Sequence, residues 1–181
     1  TVFPNYASLP VMLRAFGDLS VTSYTRAGTG ADLAKSTTFT SDGGDIALGT
    51  INAFKDSANV YAYGSDITLT SLSTGGSVYL YSETGTVKAA GDSAALEIDA
   101  GGTLTIDGVN LGTAGFTNPL DLAASSISLT SRDSGVIGFD AAPVIANTQN
   151  LTINAANGST FNVSTGATAL TIVFQSMRPP S

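Results

Sequence analysis

Between Val60 and Ile106, short runs in which apolar and polar residues alternate return at a nearly constant interval. Val60-Tyr61-Ala62, Val78-Tyr79-Leu80 and Leu96-Glu97-Ile98 each start 18 residues after the one before. Ile67-Thr68-Leu69, Val87-Lys88-Ala89 and Leu104-Thr105-Ile106 form a second set that trails the first by seven to nine residues. Alternation with period two is the signature of a strand with one buried face, and no window sustains the i, i+3, i+4, i+7 spacing of a helix. A coil of about 20 residues cannot enclose a core alone, so such units must stack. The pattern predicts an all-β chain folded as a parallel β-helix, a solenoid with 17–24 residues per coil.

The second set continues at Ile127, Leu151 and Leu170 and begins at Ile46, while the first continues at Leu120, Val144 and Phe161. The expected inward columns are Ile46, Ile67, Val87, Leu104, Ile127, Leu151 and Leu170, flanked by Leu48, Leu69, Ala89, Ile106, Leu129, Ile153 and Ile172. Seven such strands about 4.8 Å apart make a stack roughly 30 Å long. The variable arc between the sets places a third face there, with Val109-Asn110-Leu111 and Val136-Ile137-Gly138-Phe139 as its strands. Glycines 44, 64, 76, 91, 102 and 108 fall at corners, where a positive φ or a tight bend is expected. Residues 1–16, apolar but broken by Pro4 and Pro10, read as an extended N-terminal arm. Residues 17–173 read as the β-helix, with a loop over 26–35, and 174–181 as a C-terminal cap or linker.

Composition narrows the function classes. Of 181 residues, 43% are hydrophobic and only 12% charged, which suits a stack coated with Ser and Thr. The net charge of −7, with seven basic residues scattered along the chain, argues against nucleic acid as a partner. The chain has no Cys, so it has neither disulfides nor a thiol nucleophile, and no His, so it has no serine triad. No apolar run reaches the roughly 18 residues of a membrane span, and membrane insertion is not expected. A start at Thr1, neither an initiator Met nor a signal peptide, reads as an excised piece of something longer.

Tyr61 and Tyr79 lie 18 apart at an outward position, as do Tyr63 and Tyr81, with Glu97 and Asp99 next in line. They predict two exposed aromatic ladders ending in carboxylates. Stacked tyrosines bind sugar rings or a partner protein, or simply pack on one another. Asp92, Glu97 and Asp99, and more loosely Asp42 and Asp45, are the candidates for acid/base chemistry, but Lys88 is the only cation near them, so no catalytic residues are assigned. The Ca²⁺-binding nonapeptide is not intact at Gly43-Gly44-Asp45 or Gly101-Gly102, and neither a metal nor any cofactor is expected. Asn150, Asn157 and Asn162 stand in glycosylation acceptor patterns.

Gly43-Gly44-Asp45-Ile46-Ala47-Leu48, Gly64-Ser65-Asp66-Ile67-Thr68-Leu69-Thr70 and Ala100-Gly101-Gly102-Thr103-Leu104-Thr105-Ile106 resemble the repeats of filamentous haemagglutinin-like adhesins, large bacterial exoproteins exported by two-partner secretion. The resemblance spans roughly residues 40–173 and is one of composition and period. It implies a right-handed β-helical shaft, secreted or at the bacterial cell surface or in a biofilm matrix. The expected role is structural and adhesive, not enzymatic, with a host-cell or matrix polysaccharide or protein as partner. The alternatives are a carbohydrate-binding or carbohydrate-cleaving module, and a filament or surface-layer subunit that associates end to end.

Overall fold

The computed structural model describes residues 9–26, 34–91, 97–112, 120–132, 136–140, 150–156, 160–164 and 171–177. These residues are all-β, and every strand pairing is parallel, as a β-helix requires. One sheet has eight strands in the order β1 (Val11–Ala15), β3 (Ser36–Ser41), β5 (Ser57–Ala62), β7 (Val78–Ser82), β10 (Thr103–Gly108), β13 (Ser126–Ser131), β15 (Asn150–Ala156) and β17 (Thr171–Met177). The second has nine: β2 (Leu19–Thr25), β4 (Ile46–Asn52), β6 (Ile67–Thr74), β8 (Thr86–Ala89), β11 (Asn110–Leu111), β14 (Val136–Asp140), β12 (Leu120–Ala123) and β9 (Ile98–Ala100), with β16 (Thr160–Ser164) on β14.

The second sheet covers two faces because β2, β4 and β6 bend. Inward side chains alternate up to Leu48 and Leu69, two successive positions then face away from the core, and alternation resumes at Ile51 and Leu72. The first half of β6 pairs with β8 and its second half with β9, so the sheet forks at this corner. Each coil therefore has three faces. The core is a prism of stacked aliphatic side chains: Ala58, Val78, Leu104, Ile127 and Leu151 beside Phe39, Val60, Leu80, Ile106, Leu129 and Ile153 on the first sheet. Ile46, Ile67, Val87 and Leu111 line the second face, and Tyr24, Ile51, Leu72, Ile98 and Leu122 the third. Burial of each aliphatic side chain is worth about 1.5–3 kcal/mol, which makes these columns the main source of stability.

Four readings of the sequence change. First, Val60 pairs with Leu80, and Val78 with Ala58, so the 18-residue interval lies two residues out of register. Leu96 falls outside the described residues, and its neighbour Ile98 sits on the third face. Second, the expected inward column is two half-columns. Ile46, Ile67 and Val87 line the second face, whereas Leu104, Ile127 and Leu151 line the first sheet; Leu170 is not described. Third, Leu111 and Ile137, read as third-face strands, lie on the second face, whereas Phe139 at the far end of the same strand pairs with Leu120 of β12 on the third. Fourth, Val11–Ala15 is already a strand of the first coil and Thr171–Met177 pairs with β15, so the stack extends beyond residues 17–173 at both ends. The loop expected over 26–35 falls mostly on residues outside the description.

Gly44, Gly64, Gly76, Gly91 and Gly102 lie at bends, as expected, and Gly108 lies within β10, but positive φ is not the reason for glycine at these positions. Among the described glycines only Gly112 has a positive φ, at 78°. At Gly64 a Cβ would lie 2.5 Å from the Gly43 carbonyl carbon, and at Gly76 2.5 Å from the Asp56 carbonyl oxygen. The coil beneath passes too close for any side chain, so it is packing between coils that demands glycine there. Gly91 is different, with nothing within 4 Å.

Candidate functional site

The outer surface of the first sheet carries the tyrosines. Period-two alternation that sends Ala58, Val60 and Ala62 inward sends Asn59, Tyr61 and Tyr63 outward, and on β7 it sends Tyr79 and Tyr81 outward. Tyr61 lies opposite Tyr81 and Asn59 opposite Tyr79, not in the 61/79 and 63/81 pairs that equal spacing suggests. The rings nonetheless meet diagonally, as long aromatic side chains can on a sheet. Tyr61 and Tyr79 have centroids 5.6 Å apart, Tyr63 and Tyr81 6.1 Å, and Tyr61 and Tyr63 6.3 Å with planes only 8° apart. All four form one continuous aromatic patch.

Glu97 and Asp99 do not continue it; the next coil presents Thr105 and Asp107 instead. Glu97 is buried at a corner of the third face, where its carboxylate accepts the Asp121 backbone N–H at 2.7 Å. Asp99 belongs to β9 on that same face, and Asp92 is outside the described residues.

An ion pair stands on either side of the patch. On one side Arg132 reaches back across two coils, its Nε 2.8 Å from Asp107. Its guanidinium lies 4.9 Å from the Tyr81 ring centroid, donates to the Tyr81 hydroxyl at 3.4 Å, and donates to the Ser82 carbonyl. Burial pushes the Asp107 carboxyl above its ordinary pKa, and the nearby guanidinium offsets part of that rise. Burial also raises the Tyr79 phenol, helped by the negative charge of Asp107. On the other side Arg14 Nε holds Asp42 at 3.0 Å. Arg132 was not legible as part of this cluster. The signal was its place one residue past the end of a strand that stacks on β10, and using it requires the register.

The remaining acids mostly hold backbone. Asp18 Oδ1 accepts the Asp45 N–H at 3.0 Å, Asp45 Oδ1 the Asp66 N–H at 3.0 Å, and Asp66 Oδ1 the Thr86 N–H at 2.8 Å. Lys88 pairs with Asp66 at the end of this ladder. Hydrogen bonds from Ser65 and from the Asp66 N–H hold the Asp45 carboxyl below its ordinary pKa. The recurring Gly-x-Asp or Gly-Asp before an apolar strand start marks this ladder in the sequence.

A second buried polar group, centred on Asp56, has no local mark in the sequence. Asp56 accepts the Thr37 hydroxyl at 3.1 Å and the Lys35 N–H at 2.9 Å, and pairs with Arg26 at 2.6 Å. Tyr24 meets Thr37 at 3.3 Å. On the second face, Ser20, Thr22, Ala47, Gly49, Thr68, Thr70 and Ala90 line a shallow open groove of about 200 Å³ along the bend. Among the described residues no three metal-ligating side chains come together, and no helix is long and apolar enough to cross a membrane. No protein-family model, no curated protein and no solved structure matches the chain.

Proposed function

We propose that this chain is a rigid segment of an extracellular bacterial fibre or surface exoprotein, a shaft that holds a binding tip away from the cell or links matrix polymers. The observation that carries this reading is the unbroken parallel ladder of the first sheet from β1 to β17. A stack in which every strand is hydrogen-bonded to the next resists bending along its axis and lengthens by repetition alone. The carboxylates fit the same reading, because Asp18, Asp45 and Asp66 are spent on joining one coil to the next. The likeness to filamentous haemagglutinin-like adhesins rests on the repeats themselves.

Immunogold labelling of intact source cells with an antibody raised against this segment tests the proposal. Label at the surface or on extended fibres is the expected result. Label reached only after the cells are permeabilised would end it.

A further inference from the structure

The geometry points to a binding face for an uncharged polysaccharide on the outer surface of the first sheet, centred on Tyr61, Tyr63, Tyr79 and Tyr81. A shaft has no need of such a face, so this role is additional to the one proposed above.

Three features of the patch argue for a ligand beyond mutual packing. Elsewhere the same outward positions hold chiefly Thr, Ser and Asn, with Met12, Arg14 and Asp107 among them, so tyrosine is not what the sheet needs to cover itself. Among the described residues, the aromatic residues on this outer face are confined to two adjacent coils. Their rings are also held in place beforehand: Arg132 clamps Tyr81, Tyr81 touches Tyr63, and Tyr61 lies between Tyr63 and Tyr79. A surface fixed before binding loses less conformational freedom on contact.

The chemistry of the surroundings selects the ligand. The apolar C–H face of a pyranose ring stacks on an aromatic face, and its hydroxyls need donors and acceptors at the rim. Tyr61 and Tyr63 hold their rings nearly parallel at 6.3 Å along one strand, a regular repeat of aromatic surface along which a sugar chain can lie. The phenol groups, Asn59, Thr105 and Thr130 supply the hydrogen-bonding rim. Both guanidiniums at the edges are already paired, Arg14 with Asp42 and Arg132 with Asp107, which leaves no free positive charge for a uronate, sulfate or sialate. Exposed Glu83, two residues beyond Tyr81, and the chain's net charge of −7 add repulsion against such groups. A protein partner fits less well, because the patch is edged by Asp42, Asp107, Glu83 and Ser128, and Asp, Glu and Ser are depleted at protein interfaces.

Affinity electrophoresis of the 181-residue chain in gels containing a neutral β-glucan, galactomannan or unsubstituted xylan, against gels containing polygalacturonate or heparin, tests this. At least one neutral polymer is expected to retard the chain, and the acidic polymers are not. Tyr63→Ser is the mildest change, since Tyr63 is the most exposed of the four at 44%. It should weaken retention severalfold, and the Tyr61→Ala/Tyr63→Ala double variant about tenfold or more, which is about 1.4 kcal/mol per factor of ten. Met12→Ser, exposed on the same sheet two coils away, should leave retention unchanged. The chain has no Trp, so quenching of tyrosine emission in the unmodified chain gives a readout that needs no variant. Absence of retardation by every neutral polymer, a preference for the acidic ones, or retention that survives both tyrosine variants would overturn the assignment. None of those results would touch the shaft, which immunolabelling tests separately.

Discussion

Single residues in this fold matter chiefly through what the neighbouring coil places against them. Gly64 has no room for a Cβ, because the obstacle is the rigid Gly43 backbone, whereas Gly91 faces open space at an ordinary φ. Gly64→Ala should therefore cost about 1–3 kcal/mol, the range of strained or overpacked sites. Gly91→Ala should be neutral or stabilise by about 0.4–1 kcal/mol, by reducing the freedom of the unfolded chain. Urea unfolding midpoints of the two variants decide this; equal effects would refute the close-approach explanation. The aspartate ladder makes a second prediction at this scale. The folded pKa of Asp45 is depressed, so its ionised form stabilises the fold above the ordinary carboxylate pKa, and that contribution disappears as pH falls through the folded value. Asp45→Asn keeps an oxygen for the Asp66 N–H but does not titrate. Its midpoint should fall less than that of the parent between neutral and strongly acidic solution, and identical acid profiles would remove Asp45 from the account.

At the scale of elements, Asp56 ties the start of β5 to the residues just after β2 and just before β3, through Arg26 and the Lys35 N–H. The pair is almost wholly enclosed, with side-chain exposures of 11% for Arg26 and 3% for Asp56. Asp56→Ala leaves a guanidinium, a hydroxyl and a backbone N–H without this acceptor, and should cost about 3–5 kcal/mol, the typical loss on breaking a buried pair. A thermal midpoint within a degree or two of the parent would show that the network is dispensable. Asp56 also illustrates what the sequence conceals. Its partners lie 19 to 30 residues away, and no local pattern marks them. The strands themselves were legible because alternation is local. Their register was not, because β7 reads Val-Tyr-Leu-Tyr and a slip of two residues returns like to like; only a slip of one would have inverted the faces. Face identity was hidden for the same reason. Leu104-Thr105-Ile106 and Ile67-Thr68-Leu69 have the same pattern, yet they occupy different sheets. The tyrosine patch survived the register error only because its rings reach diagonally.

For the whole molecule, everything depends on coils lying directly over one another, so that a residue's neighbours are those one coil away. Nearest-neighbour stacking gives the inward aliphatic columns, the aspartate ladder and the tyrosine patch a single origin, and it is what makes a shaft extensible. Thr38 and Thr152 point outward on one column of the first sheet, linked through Asn59, Tyr79, Thr105 and Ser128 by five strand-to-strand steps. The chain has no cysteine, so Thr38→Cys and Thr152→Cys place two spin labels without competing sites. Pulsed electron–electron resonance between them should give one narrow distance distribution centred near 24 Å, five steps of about 4.8 Å. A broad distribution, or a centre displaced by more than one step, would contradict the stacked-coil architecture and everything built on it.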